Sequence, residues 1–240
     1  MVDLDALTAA NAKRWANAKL SRPVEANNIA LHLFKAKPRY QKVEAQTGVP
    51  WPVIAVIHER EASQNWNTQL GQGDPLNSVS VHVPSGRGPF KTWEEGAYDA
   101  LVNCAPHLAR QKDWSLGAAL TALETYNGIG YAAGPVSKVN GVVVAKYPPQ
   151  ASPYLWAGTD QYRAGKYVAD GKFDPNKVDS QMGCAALLKA LMALDPTITF
   201  TGAKIIPIQP KPSTPSVTNP APGSIGAFIA SIFNAIFRRK

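Results

Sequence analysis

The chain has 240 residues, 45% of them hydrophobic and 18% charged, enough for one well-buried domain plus a tail or for two small domains. A formal charge of +8 asks for an anionic partner, and nucleic acid, anionic lipid and the acidic bacterial envelope all qualify on charge alone. Four His and two Cys are too sparse for a zinc cluster, and Cys104 and Cys184 have no CxxC spacing, so two buried thiols are expected, with a disulfide left open because sequence does not place the sulfurs.

The N-terminus, MVDLDALTAANAKRW, has no apolar h-region, and no run of about 20 apolar residues occurs, so neither a secretory signal peptide nor an ordinary membrane-spanning helix is expected. Residues 4–20 read as an amphipathic helix whose face of Leu4, Leu7, Trp15 and Ala18 is interrupted by Asn11. A second helix fits Glu25 to Lys35, Pro38 marks a break, and Tyr40 to Gln46 suits a short helix stopped by Gly48. Pro50 and Pro52 then lead into an apolar helix from Val53 to about Ala62. Residues 64–92 are rich in Gly, Asn, Ser and Pro, with alternation at Val79, Val81 and Val83, and predict a loop or small hairpin. Helices return at Trp93 to about Ala105, capped by Thr92 and ended by Pro106, and at Ser115 to Tyr126. Residues 128–153 predict a loop with a strand at Val142–Val144, and Ser180 to Leu194 a last core helix. The fold class is mostly α with a small β-hairpin or loop region. The expected domains are residues 1–200, a Pro/Ser/Thr-rich linker at 201–223, and a terminal amphipathic helix at 224–240.

One carboxylate carries the functional reading. VIAVIHEREAS places Glu59 and Glu61 at the end of an otherwise apolar helix. Glycoside cleavage needs an acid that keeps its proton near neutral pH, and partial burial provides this by penalising the charged form. Glu61 lies four residues past Ile57 and seven past Ile54, so it continues the apolar face, whereas Glu59 is displaced from it. Both could equally be surface acids at a helix end. Asp74, in GQGDPL, is the second carboxylate, placed to hold a water or stabilise an oxocarbenium-like transition state, with a turn-forming role as its competitor. Ser80 and His82, in VSVHVP, follow on the same loop, His82 as a substrate contact.

HEREAS, then QLGQGDPL, then SVHVPSGRGPFKTWEEGAYDAL resembles a set of phage and prophage lysozyme-like proteins. The Arg60–Glu61 pair matches the Arg-Glu of that pattern, which favours Glu61 over Glu59. LTALETYNGIGY is similar to the Tyr-Asn-Gly segment that lines the cleft of lytic transglycosylases and goose-type lysozymes, and residues 152–173 also match the phage set. The resemblance covers roughly residues 50–190. It implies a lysozyme-like α+β domain and an endolysin made in the host bacterial cytoplasm, released by a separate holin to reach peptidoglycan as a muramidase. Glu61-Ala62-Ser63 and the lack of a Gly-Leu-Met-Gln segment depart from the transglycosylase pattern, which leaves hydrolysis and anhydro-product formation both open.

Tyr126, Asn127, Tyr131, Tyr154, Trp156, Tyr162 and Tyr167 cluster in loop-like segments, as in a polymer-binding groove, although a folded domain must also bury its aromatics. Tyr126, Asn127 and Tyr154 are expected in the groove, and Trp156 either there or in the core. Arg87 and Lys166 are expected to meet stem or lactyl carboxylates or to stay solvated. In the tail, Ile225, Phe228, Ile229, Ile232, Phe233, Ile236 and Phe237 form one helical stripe ending in Arg238, Arg239 and Lys240. About fourteen helical residues span about 21 Å, short of the roughly 30 Å hydrocarbon core. The tail is therefore expected to lie on anionic membrane lipid, with Phe228, Phe233, Phe237 and the three terminal cations in contact. Docking on the domain or self-pairing is the other outcome. No cofactor, metal or nucleic-acid partner is expected, and the chain should be a monomer. A non-catalytic cell-wall-binding module is the reading from another class; it would keep the aromatics and not need Glu61.

Overall fold

The computed structural model describes residues 2–82 and 84–202. The linker beyond residue 202, the helix expected at 224–240 with Phe228, Phe233, Phe237, Arg238, Arg239 and Lys240, and Val83 of the alternating stretch lie outside the described residues. Among those described, the chain is mostly helical with two small antiparallel hairpins. In order these are α1 (Leu4–Asn17), α2 (Pro23–Lys35), α3 (Lys37–Thr47), α4 (Trp51–Ala62), α5 (Trp93–Tyr98), α6 (Leu116–Asn127), α7 (Gly130–Ala133), β1 (Val136–Val139), β2 (Val142–Lys146), α8 (Pro153–Trp156), β3 (Lys166–Ala169), β4 (Lys172–Asp174) and α9 (Cys184–Leu194).

Helix α4 is the axis of the molecule. From Trp51 to His58 every side chain is buried, so the helix is apolar all round and is packed by α3, α6 and α9 on different sides. Helix α9 is nearly as apolar and fills the space between α2, α4 and α8. Its approach to α8 depends on Gly183. A Cβ there would lie 2.6 Å from the Leu155 carbonyl oxygen and 2.7 Å from Ala157 N, and the Gly183 N–H donates to Ala157 O.

The sequence reading of the first helix needs one correction. Asn11 is fully buried, and Leu4 is half exposed. Asn11 Nδ2 donates to Glu124 Oε2 at 2.9 Å and to Thr121 Oγ1 at 3.3 Å, so the apparent interruption is a polar tie between α1 and α6. Pro38 sits in the first turn of α3, where its missing N–H costs nothing. The helix begun at Trp93 is capped by the Thr92 hydroxyl on Glu95 N. After Tyr98 it widens into a π turn, Asp99–Asn103, and ends before Pro106. Cys104 and Cys184 are both buried free thiols.

Residues 64–92 form a loop without a hairpin among those described, with one isolated bridge between Thr68 and Pro75. Val79 and Val81 are exposed; the Val81 N–H donates to Asp74 Oδ2, and the Ser80 N–H between them to Arg87 O. The 128–153 segment holds a full hairpin instead of a lone strand. Asn140 and Gly141 both take positive φ at its turn, the conformation an Asn-Gly pair accepts most readily. The second hairpin, turning at Asp170–Gly171, packs on the first: Lys138 N donates to Gly171 O, and Ser137 shares two hydrogen bonds with the Phe173 backbone. Tyr131, Tyr167 and Phe173 form a small separate core beneath them.

Candidate active site

Helix α4 ends at Ala62, with Ser63 in the left-handed conformation, and this brings Glu61 to the rim of the core. The residue is partly buried, but its carboxyl group is deeply enclosed. The Tyr154 hydroxyl, from α8, donates to Glu61 Oε1 at 3.0 Å. Tyr126, from α6, stands close enough to feel the Glu61 charge, and its own hydroxyl donates to Leu70 O at 3.4 Å. Burial raises the Glu61 acid to about 7; the Tyr154 hydrogen bond and the Arg60 charge pull it back only in part. Burial likewise raises the Tyr154 and Tyr126 phenols well above the usual range, so both remain neutral donors. The Glu59 charge acts on Tyr40 instead, helping to raise its phenol.

Arg60 points the other way, into the protein. Its side chain is 3% exposed and meets Asp179 Oδ2 at 3.1 Å, and Lys166 Nζ meets the other Asp179 oxygen at 2.8 Å. The guanidinium also lies 4.9 Å from the centre of the Tyr154 ring. Behind α4, His58 is fully buried in an aromatic box of Tyr40, Trp66 and Trp93. Its Nε2 lies 3.1 Å from Asn65 O and its Nδ1 3.0 Å from the Tyr40 hydroxyl. A neutral ring satisfies both contacts by donating from Nε2 and accepting at Nδ1. Burial lowers its pKa to about 4, so His58 is a structural imidazole.

The loop after α4 runs beside this helix end: a Cβ on Gly73 would lie 3.5 Å from the Glu61 carbonyl oxygen. Asp74 follows, and its carboxylate is fully engaged. Oδ2 accepts the Val81 and His82 backbone N–H groups, each at 3.0 Å, and Oδ1 lies 2.6 Å from His82 Nδ1. Burial works against its charge, but the His82 N–H and ring and the Val81 N–H outweigh it and lower the Asp74 pKa. Ser80 is buried too; its hydroxyl donates to Pro84 O and accepts the Arg87 N–H. The Asp74 and Ser80 side chains thus tie the 74–87 loop together, the turn-forming role that stood beside a catalytic one for Asp74. His82 is partly exposed on that loop.

The aromatic expectations divide. Tyr126 and Tyr154 gather at Glu61, and Asn127, buried, follows Tyr126 at the end of α6. Trp156 is fully buried in the main core, so it is no groove residue. Tyr131 and Tyr167 belong to the small core under the hairpins. The Tyr162 hydroxyl serves the backbone of Gly165, Lys177 and Asp179. Arg87 is held by both Asp99 oxygens and Lys166 by Asp179, so neither is simply solvated. Sequence reasoning missed Asp179, which carries no local signal in KVDSQMG, and Glu124, a buried acid of raised pKa at the α1–α6 interface. Comparison with protein-family models, curated proteins and solved structures gives no match. Among the described residues no group of three or more His, Cys, Asp or Glu is arranged to hold a metal ion, and no helix is long and apolar enough to cross a membrane.

Proposed function

We propose that this chain is an endolysin-type enzyme with a lysozyme-like domain that cleaves the glycan strands of bacterial peptidoglycan, with Glu61 as its general acid. The observation that carries the reading is an enclosed carboxyl at a helix end, with one oxygen held by Tyr154 and its proton retained to about pH 7. The Tyr154 donor suits the carbonyl oxygen of a neutral acid and leaves the other oxygen to carry the proton. That proton passes to the glycosidic oxygen as the C1–O bond breaks, and the resulting Glu61 carboxylate then takes a proton from the incoming hydroxyl. The engagement of Asp74 by three donors favours the variant in which Glu61 acts alone and the sugar's own 6-hydroxyl is the attacking group, giving an anhydro product.

Turbidity clearance of purified peptidoglycan, with mass spectrometry of the fragments, tests both parts. Wild type clears the suspension. Glu61→Gln, still folded, loses at least ~100-fold in rate, because an amide cannot supply the proton. Glu59→Gln retains activity. Reducing ends indicate water as the nucleophile, and anhydro ends indicate the intramolecular hydroxyl. Full activity in Glu61→Gln, or an inactive wild type that still binds the wall, would move the binding-module reading to the front.

A further inference from the structure

Glu61 is in direct contact with the Tyr154 hydroxyl of α8, and it is within electrostatic reach of Arg60 on its own helix α4, Tyr126 on α6 and Cys184 on α9. Burial keeps the two phenols and the thiol neutral. Of these neighbours only Arg60 carries a charge. Burial opposes that charge, but the Asp179 carboxylate outweighs burial and holds the guanidinium protonated.

Arg60 is fixed at both ends. Nη2 donates to Asp179, Nη1 donates to Met182 O at 3.4 Å, and the Arg60 carbonyl accepts from Gln181 Nε2 at 3.2 Å. Asp179 is fixed as well, accepting from Lys166 of β3 and from the Gln181 N–H, while its own N–H donates to the Tyr162 hydroxyl. A connected path therefore runs from Lys166 through Asp179 and Arg60 to the Tyr154 ring, and through the Tyr154 hydroxyl to Glu61. A buried pair of this kind adds little stability over well-packed apolar side chains, so its value is in what it does to its neighbours. An uncompensated guanidinium beside Glu61 would favour the carboxylate and strip the acid of its proton below neutral pH.

We propose that Asp179 is a positioning residue for the acid: it holds Arg60 against the Tyr154 ring and offsets its charge, so that Glu61 keeps the proton it must donate. The role rests on the reading of Glu61 as a general acid, but the protonation of Glu61 can be measured without substrate. The experiment is a carboxyl 13C NMR titration of the full-length chain, with Glu61 assigned by Glu61→Gln. Asp179→Asn should move the Glu61 midpoint down by about one pH unit, and Arg60→Met, which leaves Asp179 paired with Lys166, should move it up by about as much. The basic limb of the pH–rate profile should follow in both directions. A structural role alone predicts lost stability with no opposed displacement of the midpoints. Folded variants that leave the midpoint in place, or move it in the same direction, would overturn the proposal. If Asp179→Asn does not fold, the double variant Arg60→Met/Asp179→Asn decides: a midpoint matching that of Arg60→Met alone supports an Asp179 role exerted through Arg60, and one well below it overturns the proposal. An inactive wild type would refute the enzymatic reading and leave the titration result intact.

Discussion

Glu61 is protonated in the fold up to about pH 7, whereas the free side chain releases its proton near 4.5. Between those values folding takes up a proton, so native stability falls as pH rises through the window, by about 1.4 kcal/mol per pH unit. Above pH 7 both states are ionised and the fold carries the whole penalty, roughly 3 kcal/mol. Glu61→Gln removes the ionisation and preserves the Tyr154 hydrogen bond, because the amide oxygen still accepts. Its Tm should therefore exceed that of wild type by on the order of 5 °C at pH 8, and the gap should close below pH 4.5. Calorimetry at three pH values checks this. An equal Tm at every pH would mean that Glu61 is not enclosed in solution. Such a gain in stability on removing a functional group is the expected mark of a site that keeps an acid in an unfavourable place.

At the scale of elements, the contact between α4 and α9 is largely apolar, but α1 and α6 are joined by a polar tie. Asn11→Ala removes the donor to Glu124 and Thr121 and leaves a buried carboxyl without that partner. The expected cost is about 1–3 kcal/mol. Chemical denaturation should show a lower midpoint at unchanged slope, with no change in the Glu61 titration, because this tie lies at the α1–α6 contact. The loop after α4 follows another logic. Its order comes from side chains caught by backbone groups: Asp74 on Val81 and His82, Ser80 on Pro84 and Arg87, Gln69 on Pro75 and Ser78. Gly73, just before Asp74, brings this loop against the Glu61 backbone.

For the whole molecule, we propose from the sequence alone, on its charge of +8 and the apolar spacing of residues 224–240, that an anionic surface is a partner. Deleting residues 222–240 should abolish sedimentation with anionic vesicles and leave cleavage of soluble glycan fragments unchanged. Undiminished vesicle binding by the truncated chain would refute a lipid role for the tail. The long helices were legible from the sequence, because α4, α6 and α9 are runs of mostly apolar residues of helical length set between Gly- and Pro-rich segments. Glu61 was legible for the same reason, as an acid continuing the face of Ile54 and Ile57. The hairpins were harder, since Val142–Val144 and Val168 are exposed and no core pattern marks their strands, although Asn140-Gly141 and Asp170-Gly171 are turn signals in their own right. Tertiary structure alone decided the rest. Asn11, Asp179 and Trp156 have roles set by partners more than 90 residues away, or by burial among them, and no local pattern encodes a partner. The same holds for the state of Glu61: sequence places the carboxyl at the end of a buried helix, but only the convergence of α6, α8 and α9 on that end makes it an acid that holds its proton near neutral pH.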